Sequence, residues 1–424
     1  MRFRIQLAVV VVGVAGTLVG FTPAEAAPPV GCGSVIRTNT TLTADVGPCS
    51  SGGLVVGASN VTLELNGHTV SGDPASTGDG VGILVQGKRG VVVKNGTVRD
   101  FDTGVLLRRT QSKPTTHSQL LDLHVVGNGL PQPSPAHLGN GIALLGANDN
   151  LVQGSTVSRN IASGISIEEA TGNTIRSNEV VENGVVDQQN CLVRGGVGIR
   201  LLTLASGNTV SGNDVRRNTS AGVNLSFDDT DNLIEHNVIE GNHLNGLRTS
   251  ANSDRNLVRN NAVNNNGFRT VLARDASGAC VASVRPSGSG IAFDFSNENV
   301  ARQNEVRGNA LDGIRVGGGD ETLPSSGHVV EANTVQGNGR NGIVVTCRTD
   351  FPPTKCLESD QHNRIVSNTA TGNGGAAAGT QVSSGGFLVG NFDLLDANVV
   401  GPPCDNNTWS ANTFNTAYPS CTTG

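Results

Sequence analysis

Arg200, Arg248 and Arg315 each stand two places after a glycine, as does Asn224, while Glu168, Ser226, Ser250 and Asp294 each stand four places after one. A guanidinium presents planar, paired N–H donors, so three of them in one line are suited to hold carboxylates by bidentate hydrogen bonds. Asp294, Glu168 and Asp228 are the carboxyl groups placed to act as acid or base once a neighbour shifts their titration. In the sharpest form of this reading, Asp294, Arg248 and Glu168 carry the chemistry, and Arg200, Asn224, Arg248, Arg315 and Asp228 hold the substrate. The plain alternative is a solvated sheet face of mixed charge, since structural charges also cluster. Asp228, Asp229 and Asp231 crowd one turn with hard oxygen donors, which makes calcium the metal this turn would take if it took one. No other cofactor is implied.

A repeat puts these side chains in line. A nine-residue unit, an apolar residue followed by an inner Asn and a closing Asn, starts at Leu120, Val152, Ile175, Val210, Ile234, Val258, Ala301, Val330 and Ile365. The closing Asn falls at Asn128, Asn160, Asn183, Asn218, Asn242, Asn266, Asn309, Asn338 and Asn373, and the inner one is replaced only in the first two units, by Leu123 and Ser155. Each unit leads, directly or after an insertion, to Gly and an apolar residue, as at Gly164-Ile165, Gly198-Ile199, Gly222-Val223, Gly246-Leu247, Gly290-Ile291, Gly313-Ile314, Gly342-Ile343 and Gly386-Phe387. Gly82-Ile83, Gly104-Val105 and Gly141-Ile142 precede them. Uninterrupted spacings of 22 to 24 residues, as from Gly82 to Gly104 and from Gly222 to Gly246, suit one coil of three short strands and three turns. Stacked coils put like side chains about 4.8 Å apart, so each Asn amide can bond the next. Asn also tolerates the left-handed backbone of tight turns. The expectation is an all-β, single right-handed parallel β-helix of about eleven coils, with the residue after each Gly–apolar pair facing outward: Leu84, Leu106, Ala143, Ser166, Arg200, Asn224, Arg248, Ala292, Arg315, Val344 and Leu388.

This repeat resembles the pectin-lyase-like right-handed β-helix superfamily, and most closely its NosD-type and general β-helix repeat members. The likeness covers about residues 54 to 400, and Asn66-Gly67-His68-Thr69-Val70 and Asn95-Gly96-Thr97-Val98 resemble the first coils of such secreted proteins. The resemblance implies a polysaccharide groove on the sheet that the loops flank. Here insertions at 129–140, 184–197, 267–289 and 374–385 precede that sheet's strands, and those at 317–327 and 346–361 follow them. Enzymes of the superfamily carry motifs that this chain lacks. Of the polygalacturonase set only Asp228-Asp229 has a counterpart, the Asp-Pro-His of alginate epimerases is absent, and Arg285-Pro286 is an isolated fragment of the pectate-lyase arginine motif. NosD-type relatives assist copper-site assembly, but this chain has one Met, at its start, and eight dispersed His, with His236 and His243 on different turns.

Composition narrows the choice. Aromatic residues make up 3% and Gly numbers 57, which fits a thin repetitive core better than a two-layer domain. The formal charge of −6 comes with no basic cluster of the kind that tracks nucleic acid. Arg2 and Arg4, the apolar run from Ile5 to Gly20 and Ala24-Glu25-Ala26 read as a secretory signal peptide over 1–26. The division that follows is an N-terminal cap over 27–53, the helix over 54–400 and a C-terminal cap over 401–424. Eight cysteines in an exported chain read as disulfides. Cys32 and Cys49 bracket the first cap, Cys404 and Cys421 the last, Cys191 and Cys280 lie on same-side insertions, and Cys347 with Cys356 follows by elimination. The reading for function is a secreted protein that binds or modifies a uronate-containing polysaccharide, by lyase- or epimerase-like chemistry or as a glycoside hydrolase if it is an enzyme. A non-catalytic surface or adhesion rod is the alternative. No membrane span in the mature chain and no oligomeric partner is specified.

Overall fold

Repeated short apolar triplets separated by Asn corners leave the chain one way to satisfy its backbone, which is to hand each strand's hydrogen bonds to the coils on either side. The computed structural model describes residues 29–75, 80–129, 139–318, 325–349, 356–359, 362–384, 387–397, 404 and 406–423. The proposed signal peptide and Gly386 lie outside the described residues, as do the side chains of the Cys347–Cys356 pairing. Gly31–Gly424 is one compact unit.

The chain winds as a right-handed parallel β-helix. One sheet has fourteen strands, all parallel, from Val35–Ile36 through Ile165–Glu168, Ile199–Leu202, Val223–Ser226, Leu247–Ser250, Ile291–Phe293 and Ile314–Val316 to Ala417–Tyr418. We call this the groove sheet. The other two faces are files of three-residue strands such as Thr209–Ser211, Leu233–Glu235 and Leu257–Arg259, and Asp214–Arg216, Val238–Glu240 and Ala262–Asn264. Val92–Arg99 and Gln119–Val126 run through both of these faces. The segments assigned to caps contribute rungs of their own, Val35–Ile36 beginning the groove sheet and Ala417–Tyr418 ending it; with Leu54–Val56, the first strand of the segment assigned to the helix, they account for fourteen strands among the described residues where eleven glycine-led ones were expected.

The core is a stack of aliphatic files. Ile175, Val210, Ile234 and Val258 on one face, Val180, Val215, Ile239 and Val263 on the second, and Ile199, Val223, Leu247 and Ile291 on the groove sheet are all fully buried. The conserved-offset glycine is required by close approach. A Cβ on Gly222 would stand 2.5 Å from the Ile239 side chain and 2.7 Å from both the Asn242 amide and the Gly246 carbonyl.

The closing asparagines stack in one file, each donating its amide to the next: Asn183 to Asn218 at 3.0 Å, Asn218 to Asn242 at 2.9 Å and Asn242 to Asn266 at 2.9 Å. The same Oδ1 also accepts the preceding backbone N–H, and the amide bonds a carbonyl such as Val180 O, so the buried corner is satisfied on every side. The inner file does likewise from Asn178 through Asn213 and Asn237 to Asn261. A third file, not anticipated, runs through Asn150, Asn173, Asn208, Asn232, Asn256 and Asn299. The left-handed residue of these corners is the one before Asn, as at Ser177, His236 and Asn260, because the Asn itself must turn its amide inward.

The last glycine-led rung is corrected. Phe387–Gly390 pairs antiparallel with Gln381–Ser384 in a hairpin, and the rung over Ile343–Val345 is Leu394–Asp396, so Leu395 rather than Leu388 takes the outward position. Asp393 takes over the acceptor role at the head of the closing file, receiving the Asn373 amide at 2.8 Å.

Candidate functional site

Register on the groove sheet places Ser166, Arg200, Asn224, Arg248, Ala292 and Arg315 directly opposite one another on successive rungs. The line is polar only in the middle. Towards the C-terminal end its outward positions Val344 and Leu395 are buried in an apolar cluster with Phe392 and Ala397, and towards the other end it meets Leu84 and Leu106.

Asp294 joins two of the arginines. It is buried, receives the Arg248 Nε–H at 2.9 Å on one oxygen and the Arg315 guanidinium on the other, and its own N–H continues the ladder to Thr249. The nearby carboxylates Asp294 and Asp312 hold the Arg315 guanidinium above its ordinary range against the opposing effect of burial. Beyond it, buried Asp312 is gripped by Arg340 and Asn341; burial pushes its carboxyl up, but the Arg340 guanidinium and these hydrogen bonds outweigh that and hold it below the ordinary range. Both groove arginines at Asp294 remain about one-third exposed, with N–H groups left for a ligand.

Arg200 differs from these. Among the described residues it has no ion pair or side-chain hydrogen bond, although on the other faces outward arginines meet carboxylates, as Arg259 meets Glu235 and Arg302 meets Glu331. Its charge acts on Asp229, which is fully buried and takes the N–H groups of Ala205 and Ser226. Burial pushes this carboxyl up to about 7, and the charges of Asp228 and Arg200 act on it in opposite directions.

The side of the sheet that precedes its strands adds positive charge. Gly184–Asp187 with Leu192–Gly195, and Phe268–Arg274 with Cys280–Pro286, form two antiparallel hairpins bridged by a Cys191–Cys280 disulfide with Cα atoms 5.5 Å apart. They carry Arg194, Arg269, Arg274 and Arg285, whereas their two acids, Asp187 and Asp275, fold back onto their own turns. Arg269 and Arg285 sit directly opposite each other across the strands, an unfavourable pairing of like charges without an anion. Disulfides also join Cys32 to Cys49 and Cys404 to Cys421.

The proposed catalytic trio is only partly assembled. Arg248 and Asp294 touch, but Glu168 lies four rungs away, roughly 19 Å at one strand spacing per rung, too far to work with Asp294 as an acid–base pair. Asp228 is exposed on the rim, in the turn after Ser226, with a left-handed backbone. The calcium reading is not matched by the geometry. Asp231 is held by both Arg255 Nε and Nη2, Asp229 faces inward, and among the described residues no three His, Cys, Asp or Glu side chains converge. Two residues escaped the sequence reading, Gln86 and Arg108. They hydrogen-bond at 3.2 Å and line a depression of about 860 Å³ with Arg109, Leu145 and Glu169. Their signal was present, since both stand four places after a glycine, as Glu168 and Asp294 do.

Fold and file together define a right-handed parallel β-helix with a basic, polar-floored groove. Residues 59–275, half of the chain, match the family described as periplasmic copper-binding protein (NosD), and the chain belongs to that family. Among solved structures it is similar to two mannuronan C-5 epimerase A-modules from Azotobacter vinelandii. AlgE6 has 17% identity and a TM-score of 0.53, with 92% of this chain and 91% of that one covered. AlgE4 has 14% identity and a TM-score of 0.52, with 91% and 87% covered. These likenesses show the fold. No curated protein matches the chain by sequence.

The family description raises copper, and the donors described here do not fit it. The cysteines at 32, 49, 191, 280, 404 and 421 are oxidised. His328 is buried with Nδ1 receiving the Asn299 N–H and Nε2 against Ser325, and His68 faces Asp45. Among the described residues no three His, Cys, Asp or Glu side chains converge, and the chain's single methionine, Met1, lies outside them.

Proposed function

We propose that this is an exported β-helix protein that binds a uronate-containing polysaccharide along Arg200, Asn224, Arg248 and Arg315. One observation carries the reading: Arg200, with no ion pair among the described residues, faces outward from a sheet beside which two hairpins on one side carry four more arginines, in a chain of net charge −6. A cationic trough on an acidic protein attracts a polyanion, and guanidinium forks fix carboxylates in place. Export is supported by the N-terminal sequence, by disulfides that persist in oxidising compartments, and by the periplasmic description of the family. Among the described residues no helix is long and apolar enough to cross a membrane.

Binding is favoured over turnover because Asp294 is occupied. With both of its oxygens engaged by guanidiniums, this buried carboxylate is placed to aim them rather than to meet a substrate. The test is calorimetric titration of residues 27–424 with polyuronates, together with assays for unsaturated and reducing ends. Binding without new ends is expected, with R200Q weakening it about tenfold or more, the worth of one charge-assisted hydrogen bond. A wild-type protein that binds no acidic glycan at low salt contradicts the proposal. New unsaturated ends that vanish in D294A would instead make the groove a lyase site.

A further inference from the structure

The groove sheet carries a further guanidinium that no carboxylate clasps. Arg108 ends the fourth strand in the sheet order, and among the described residues it has no ion pair. Its side chain makes one hydrogen bond there, from Nη2 to the Gln86 Oε1 at 3.2 Å, while its Nε is buried and meets no acceptor. Elsewhere on the rod the same two groups hold a carboxylate side-on. Nε and Nη2 of Arg255 take both oxygens of Asp231, and those of Arg340 take both oxygens of Asp312. At Arg108 a neutral amide oxygen stands at Nη2 in place of a carboxylate. A buried donor left unmet is costly, and a ligand oxygen is one way to meet it.

Gln86 and Arg108 line the depression of about 860 Å³ together with Arg109, Gln111, Leu145 and Glu169. Arg109 is already paired with Glu169, so the lining offers one uncompensated positive charge, that of Arg108. One charge suits a carboxylate, whereas a dianion would meet the repulsion of Glu169. The space is far larger than a carboxylate alone and has the size of a small-molecule site. Leu145 presents an apolar surface and the two glutamine amides present donors and acceptors, a lining that suits a hydroxylated ring. We infer that this depression is a separate site for one carboxylate-bearing sugar residue. Gln86 is its placeholder: the incoming carboxylate displaces the amide oxygen and engages Nε and Nη2 of Arg108 together. Three rungs, roughly 14 Å, separate the fourth strand from that of Arg200, the seventh, so a single sugar cannot touch both.

The test is calorimetric titration of the mature chain with sodium glucuronate, glucose and sodium sulfate. Saturable glucuronate binding that neither glucose nor sulfate reproduces is expected. R108Q should weaken it about tenfold or more, the worth of one charge-assisted hydrogen bond. Q86E places a resident carboxylate at the fork and should weaken it as much, whereas Q86A removes the placeholder and should keep or improve binding. R176Q alters a similar arginine–glutamine pair on another face and should change nothing. Circular dichroism shows that each variant folds. A mannuronate hexamer weakened by Q86E marks a residue of a chain as the occupant, and one indifferent to it marks a free uronic acid. Glucuronate that does not bind, that binds R108Q and Q86E as well as wild type, that is matched by sulfate, or that Q86A loses as fully as Q86E overturns the inference. Glucuronate bound by a protein that binds no polyuronate would end the Arg200 reading and leave this site standing.

Discussion

Asp294 concentrates the account at the scale of single residues. Removing it would leave Arg248 and Arg315 facing each other over a buried position. D294A should therefore lose stability at the low end of the about 3–5 kcal/mol typical of breaking a buried ion pair, because both guanidiniums keep a third of their exposure. Chemical denaturation measures this, and a loss below ~1 kcal/mol would mean that the triad does not hold the rungs together. Two buried groups act on stability with opposite dependence on pH. His328 replaces Asn in the third file, stacks on Phe293 with ring centres 5.2 Å apart, and is pulled by burial from 6.5 down to about 4. The folded chain refuses a proton that the unfolded chain takes, so the stabilisation from His328 is complete above about pH 6.5 and is lost as pH falls to about 4. Asp229, raised from 3.8 to about 7, keeps a proton that the unfolded chain gives up, so its contribution is lost as pH rises through that interval. Each is worth up to about 3–4 kcal/mol. Relative to wild type, H328N should gain stability at pH 4 and D229N at pH 7.5; melting curves whose differences do not change with pH would refute both assignments.

At the scale of elements, the asparagine files do the work that side-chain packing does in a thicker core. N218A removes the acceptor for the Asn183 backbone and amide N–H groups and the donor to Val180 and Asn242, all of them buried. A loss of about 3–5 kcal/mol is expected from several unsatisfied groups, against near-neutral effects for alanine at exposed Asn190, which only closes its own turn. The hairpin walls are a separate element. C191S/C280S should keep the far-ultraviolet spectrum of the rod, lower its stability by about 2–4 kcal/mol, and expose residues 268–286 to limited proteolysis. Arms that stay protease-resistant would show that the bridge is not what holds them.

This is also the scale at which the sequence was easiest to read. Two asparagine files were legible because their offsets from the apolar start never change. The third keeps an equally constant offset, two places before the same apolar residue, and escaped the reading because a unit begun at that residue leaves out the corner that precedes it. The line of Arg200, Asn224, Arg248 and Arg315 was legible from one offset. That Asp294 would bind two arginines was not, since offset gives a position on the line and says nothing of what a flexible side chain reaches. The Asp228–Asp231 turn looked like one cluster because neighbours in sequence need not point together. Left-handed backbone at Asp228 and Asp231 sends their carboxylates away from inward-facing Asp229.

For the whole molecule, the central claim is that a long acidic ligand lies along one sheet of the rod, over the seventh to eleventh strands, and nowhere on the other two. Binding should weaken steeply with added salt, because the floor and walls are exposed to solvent while the net charge of −6 repels a polyanion elsewhere. The most direct test is arginine footprinting, in which the protein is modified with phenylglyoxal with and without a saturating acidic glycan and the adducts are mapped by mass spectrometry. Protection of Arg200, Arg248 and Arg315, with Arg176 and Arg364 on another face equally reactive in both samples, is the predicted result. Protection spread evenly over all three faces, or absent from the floor while the glycan is bound, would contradict it.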